Sequence, residues 1–379
     1  LAVTQPVDWN TAARVARLVA RRDRLANSYL SDSLASDFDV VTIEAEALVS
    51  DFTGLAAPGM ARAGVVDRSG WIDANVASMQ RMLAALNQQL IDRFGAGAVG
   101  VVGRQAAGTE MGMLLGYMSQ RVLGQYDLLM PEDDAVLPGD GPGLPEGDTG
   151  LASEGDVVYY VGPNVLALEK RFGFRPLEFR RWIAIHELTH RAQFTAVPWL
   201  RPHFMSLVDE MLGGIDPDPR SMFRAVARAA EALSRGRNPF DESGIVGLFA
   251  SDRQRDLLAR IQALMSVLEG HGNYVMNALG RRHVHGVERM ERVLQARRNA
   301  GGVAGQVNKV LGLEMKLRQY EVGERFINAV VEIADFAALD PVWSEPDALP
   351  TLPELADASS WLRRVDGTGV VAAAASRAR

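Results

Sequence analysis

The chain of 379 residues contains no cysteine. That excludes a disulfide frame, a thiolate metal site and a cysteine nucleophile. It also suits a reducing compartment, and the expected location is the cytoplasm. No apolar run approaches the roughly 18 residues that read as a bilayer span, so no membrane partner is expected. The opening Leu1–Asp8 lacks a basic stretch followed by a long apolar one, and no signal peptide is expected there. A basic excess is missing as well: the formal net charge is −7, which argues against a general nucleic-acid binder. Histidine is scarce, with six in the chain, so a site built from imidazoles has few residues to draw on.

What is present is ordinary for a globular protein: 47% hydrophobic and 23% charged residues, in a chain long enough for a large core or two domains. Apolar residues recur with helical spacing over Trp9–Arg24, Val40–Phe52 and Ser69–Phe94. The third of these carries a stripe of Trp71, Val76, Met79, Met82, Leu83 and Leu86. Residues 96–104 read as a glycine-rich connector. The Gly-Ala-Gly-Ala-Val-Gly beginning at Gly95 follows no strand and lacks the context of a dinucleotide turn. A helix is expected over Met111–Gly124 and a strand over Gln125–Met130. Residues 131–155 are dense in Pro, Gly, Asp and Glu and read as a long acidic loop. Val157–Val165 is the clearest strand. Helices are then expected over 176–198, 203–213, 218–235, 252–279, 283–298, 303–321 and 322–335. An irregular stretch over 341–353, a short helix with Trp361 and an alanine-rich tail from Val370 follow. The expected division is an N-terminal helical region (1–125), a site-bearing region (126–340) and a C-terminal segment (341–379). The fold class is mainly α, with a small β-sheet beside one helix.

That helix carries His186-Glu187-Leu188-Thr189-His190, an H-E-x-x-H pattern. At 3.6 residues per turn, His186 and His190 project from one face, one turn apart. Two such imidazoles can hold a zinc ion, and Glu187 can then reach a water on the open coordination position. The flanks support a buried helix. Phe179, Trp182, Ile183, Ile185 and Leu188 cover much of its surface, and prolines stand at its first turn and just past its end.

A catalytic zinc needs a third protein ligand. Where a downstream glycine and histidine would continue one common zinc-protease pattern, the chain has Gln193 and Ala196. Glu269 is the candidate, on the helix running from Asp252, behind the apolar pair Val267 and Leu268. His271 and Glu210 are the rivals. His271 alternatively faces a transition-state oxyanion. Asn273, four residues after Glu269, is placed to orient a ligating histidine. Gly270 and Gly272 weaken the helix by about 1 kcal/mol each, a cost that makes sense where another backbone or a ligand comes close.

These segments resemble a known family. WIAIHELTH (Trp182–His190), Gln193-Phe194, VPWLR (Val197–Arg201), GQYD (Gly124–Asp127), YVGPN (Tyr160–Asn164) and LEGH (Leu268–His271) look like the actinobacterial zincin-like metallopeptidases. The likeness extends from Val7 to about Asp335. Members are labelled hydrolases or associated with biosynthesis of the deazaflavin redox coenzyme. That association is one of gene neighbourhood, and no residue here reads as a deazaflavin site. The resemblance implies a zincin fold and zinc-dependent hydrolysis of a peptide or amide bond. The ligands would be His186, His190 and Glu269, with Glu187 as general base; His271 and Tyr274 are candidates for the oxyanion by their proximity in sequence alone. In zincins a strand beside the metal helix commonly pairs with an extended substrate. The segment Val157–Val165 is either that strand or an ordinary core strand. The alternatives are a non-catalytic zincin scaffold used in binding or assembly, and hydrolysis of a small non-peptide amide.

Overall fold

The computed structural model describes residues 7–20, 33–94, 101–126, 157–213, 251–299 and 313–367. The expected helix over 218–235, the acidic loop over 131–155 and the tail from Val370 lie outside the described residues. The chain divides into two compact units. The first comprises residues 1–198 and 272–299, and the second 199–271 and 300–379.

In the first unit the sequence builds two helical layers around a short sheet. The elements are α1 (Trp9–Val19), α2 (Leu34–Thr53), β1 (Arg62–Val66), α3 (Arg68–Phe94), α4 (Val101–Met118), β2 (Gly124–Tyr126), β3 (Val157–Val161), α5 (Gly162–Phe172) and α6 (Pro176–Ala196). β3 is central. It pairs parallel with β1, Arg62 opposite Val157 through Val66 opposite Val161. On its other side it pairs antiparallel with β2, Gly124 opposite Tyr160 and Tyr126 opposite Val158. Every residue of β3 is buried, as an unbroken apolar run on a strand covered on both faces should be. Val157, Tyr159 and Val161 join Trp9, Trp71, Ile72 and Leu115 on one face. Tyr160 turns to the other, stacks on Phe38 at 3.8 Å between ring centroids, and shares a buried 2.9 Å hydrogen bond with Thr42 of α2.

Several expectations are corrected here. Val157–Val165 is not one strand: extended pairing stops at Val161, and Gly162-Pro163 opens α5. Proline near a helix start loses nothing, because its missing N–H would have no partner there. The helix expected from Met111 begins at Val101, within the stretch read as a connector, and ends at Met118. β1 went unrecognised. β3 is paired on both sides, so it is a core strand, and its backbone has no edge to offer an extended substrate.

The second unit holds α7 (Leu200–Gly213), the first part of α8 (Asp252–His283), α10 (Leu313–Ile333), 3₁₀ turns over Phe336–Trp343 and Pro346–Ala348, α11 (Leu352–Ala356) and α12 (Ala358–Gly367). Trp361 is fully buried, meets Phe326 edge-on at 5.3 Å and donates Nε1–H to the Ala348 carbonyl at 2.8 Å. The break expected near residue 321 does not occur; α10 continues through Gly323. The rest of α8 and α9 (Val287–Asn299) belong to the first unit. At 32 residues α8 is about 48 Å long. No helix among the described residues is long and apolar enough to cross a membrane.

Candidate metal centre

The centre is built on α6. Pro176 starts the helix, and Phe179, Trp182, Ile185 and Leu188 are at most 2% exposed. Two arginines are buried with them, and each buried charge needs a partner. Arg180 meets Glu169 through two bonds, Nε to Oε1 at 2.9 Å and Nη2 to Oε2 at 3.0 Å, and also reaches Asp37. Arg191 pairs with Glu46 and donates to the Pro58 carbonyl at 2.7 Å. α6 is thus pinned on both sides of the H-E-x-x-H turn.

The one-turn spacing brings His186 and His190 together. Their rings stand nearly perpendicular at 84°, 4.6 Å between centroids, with the two Nε2 atoms 3.2 Å apart. His190 Nδ1 lies 2.9 Å from Gln193 Oε1. An amide oxygen only accepts, so Nδ1 carries the proton and the Nε2 lone pair is left facing His186.

Glu187 is only 7% exposed. It faces β2 at Gly124, where a Cβ would stand 2.6 Å from Glu187 Cγ and 2.9 Å from Oε1. Only a residue without a side chain leaves the carboxylate its room. Asn164 fixes the approach to this strand: its Nδ2 donates to the Ser119 and Val122 carbonyls at 2.7 Å each, and its Oδ1 accepts from Arg68 Nε at 2.9 Å. Burial pushes the Tyr160 phenol well above its usual range; Thr42 opposes this, and the Glu187 charge adds to it. Tyr160 is therefore a neutral neighbour of that carboxylate.

The glycines of α8 mark close approaches, as their helix cost suggested. Gly270 packs directly on the backbone of Gly323 in the second unit. Gly272 packs on the two imidazoles in the first: a Cβ there would lie 3.1 Å from His190 Cε1 and 3.2 Å from His186 Cε1. Glu269 precedes Gly272 by one turn of the same helix. It is 8% exposed, and its carboxylate and the two imidazoles offer donor atoms all within 4.8 Å of one another. Among the described residues this is the one group of three or more such side chains placed to hold a metal.

The donor set suits zinc. Nitrogens at about 2.0–2.1 Å from a tetrahedral zinc stand about 3.3–3.4 Å apart, and the two Nε2 atoms are at 3.2 Å. A buried carboxylate beside them contributes the negative charge that a divalent cation needs.

Glu210 is exposed and pairs with Arg253 at 3.1 Å. His271 is buried, its ring 5.7 Å from Phe336 and 4.8 Å from Trp343. His203 packs edge-on against Trp199, and His283 and His285 are exposed. Asn273 is buried, and the side chain that bonds the His190 imidazole is Gln193. Sequence reading missed that role, although the i, i+3 spacing from His190 signals it.

A family model for zincin-like metallopeptidases matches residues 7–362. The chain belongs to that family. No curated protein matches it. Among solved structures it is similar to a crystal structure from Chloroflexus aurantiacus described as a "putative hydrolase with a novel fold". The two share 28% identity and a TM-score of 0.64, over 95% of this chain and 99% of the other. Family and neighbour together support a hydrolase.

Proposed function

We propose that the chain is a zinc-dependent hydrolase of a peptide or amide bond, with Glu187 as its general base. The observation that carries this reading is the convergence of His186, His190 and Glu269 donor atoms within 4.8 Å, the two histidines standing on the helix that also presents the buried Glu187. His186, His190 and Glu269 would hold the metal. When bound there, zinc supplies Lewis-acid chemistry, acidifying a water towards about pH 7 and polarising a carbonyl.

Glu187 takes up the proton of the attacking water and passes it to the leaving nitrogen. Gln193 keeps the His190 proton on Nδ1, so that Nε2 serves as a donor. Gly124 leaves the carboxylate of Glu187 space to work. Tyr274 and His271, both close in sequence to Glu269, are the candidates for the developing oxyanion.

The test is Glu187→Gln, assayed on a broad peptide library with zinc measured by elemental analysis. Cleavage by the wild type, lost in the variant at unchanged zinc content, is the expected result. Full activity in the variant overturns the base assignment. A fully zinc-loaded wild type without activity on peptides or amides favours a binding scaffold instead.

A further inference from the structure

We infer that Gly272 is a positioning residue for the metal-binding imidazoles, an inference that rests on the reading above. Glycine is a poor choice in the middle of a 32-residue helix. Gly272 is explained by what lies against it: the Cε1 edges of both His186 and His190. The bare backbone of α8 acts there as a flat stop. Gln193 holds His190 at Nδ1, the ring atom on the other side of Cε1 from Nε2. With one edge stopped and one nitrogen tied, His190 has little rotation left, and its Nε2 stays at 3.2 Å from that of His186.

The magnitudes decide whether a methyl group matters. Contacts of 3.1 and 3.2 Å from a Cβ require the neighbouring atom to yield by a few tenths of an ångström. Metal–ligand distances tolerate about 0.2 Å. A ring displaced by more than that tolerance carries its Nε2 off the metal. Gly272→Ala should therefore weaken metal binding even though alanine is the better helix former.

The experiment uses the full chain, stripped of metal and titrated with zinc and, separately, with cobalt(II), whose visible spectrum reports ligand geometry. The expected result is a Kd higher by about 10- to 100-fold in Gly272→Ala and an altered cobalt spectrum. Gly270→Ala, which strikes the Gly323 backbone instead, should lower thermal stability. A Gly272→Ala protein with wild-type Kd and spectrum overturns the inference and leaves the proposed function standing. A wild-type chain that takes up neither ion overturns both. The contact is also read without metal: the loss of thermal midpoint caused by Gly272→Ala should vanish in a background of His186→Ala and His190→Ala. If Gly272→Ala does not fold, restored folding in that background supports the inference, and continued failure there overturns it.

Discussion

Gln193 accepts a hydrogen bond from His190 Nδ1 across 2.9 Å, one turn along the same helix. Partners of this kind fix the tautomer and orientation of a ligating imidazole. Gln193→Leu keeps similar bulk and removes the acceptor. Zinc affinity should fall by about 10- to 100-fold in a chelator-competition titration. Unchanged affinity would show that the imidazole is oriented without this amide.

Glu269 and Glu210 test the ligand set against each other. Glu269→Ala should fail to retain stoichiometric zinc after dialysis, by elemental analysis. Glu210→Ala should retain it, because that carboxylate is exposed and engaged with Arg253. The reverse pattern would move the third ligand to α7.

Gly124 and Glu187 separate chemistry from metal binding. Gly124→Ala puts a methyl group 2.6 Å from Glu187 Cγ and 2.9 Å from its Oε1, so the carboxylate has to move. Misplacing a catalytic group by about 1 Å can cost about 100-fold in rate. A drop of that order in kcat at unchanged zinc content is expected. Equal losses of zinc and activity would point to general distortion of β2 instead.

Glu169→Gln probes the support of α6. Arg180 is 2% exposed and Glu169 6%, so the substitution strands a buried guanidinium. Breaking such a pair costs about 3–5 kcal/mol. The lower end is expected here, because Asp37 also reaches Arg180. Urea denaturation followed by circular dichroism should show the loss. A change below about 1 kcal/mol, the range of exposed pairs, would mean that the buried pair adds little.

His203 gives a pH prediction. Burial lowers its pKa below the ordinary 6.5, Arg260 adds to the effect, and Asp347 opposes it. The unfolded chain then binds the proton more readily than the folded one. This contribution leaves stability intact above about pH 6.5 and erodes it as the pH falls through the lowered value. The difference in thermal midpoint between wild type and His203→Gln should change over that interval. A constant difference from pH 7.5 to 5 would remove His203 from the pH response.

Much of the centre was legible because it is local. The H-E-x-x-H spacing, the apolar flanks and Pro176 all lie within one helix, and helical periodicity relates them directly. Glu269 was legible less directly, as a carboxylate behind Val267 and Leu268 with two costly glycines beside it. The structure accounts for both glycines, one against Gly323 and one against the imidazoles. The two helices expected over 303–321 and 322–335 meet in one continuous helix, Leu313–Ile333, with Gly323 as a contact point inside it. β1 spans five residues, too few for alternation to register, and its place is set by distant β3. The end of β3 was overrun because Val157–Val165 is apolar apart from its Gly-Pro-Asn, and that tripeptide starts a helix.

The order of residues along the chain has a consequence for biogenesis. A nascent polypeptide displays His186 and His190 well before Glu269 has been synthesised. On the proposed ligand set, an early fragment offers a two-pronged, weakly retaining grip, and secure capture of the ion waits for α8. Cofactor loading would then be a late event, timed by the ribosome's progress through the second half of the message.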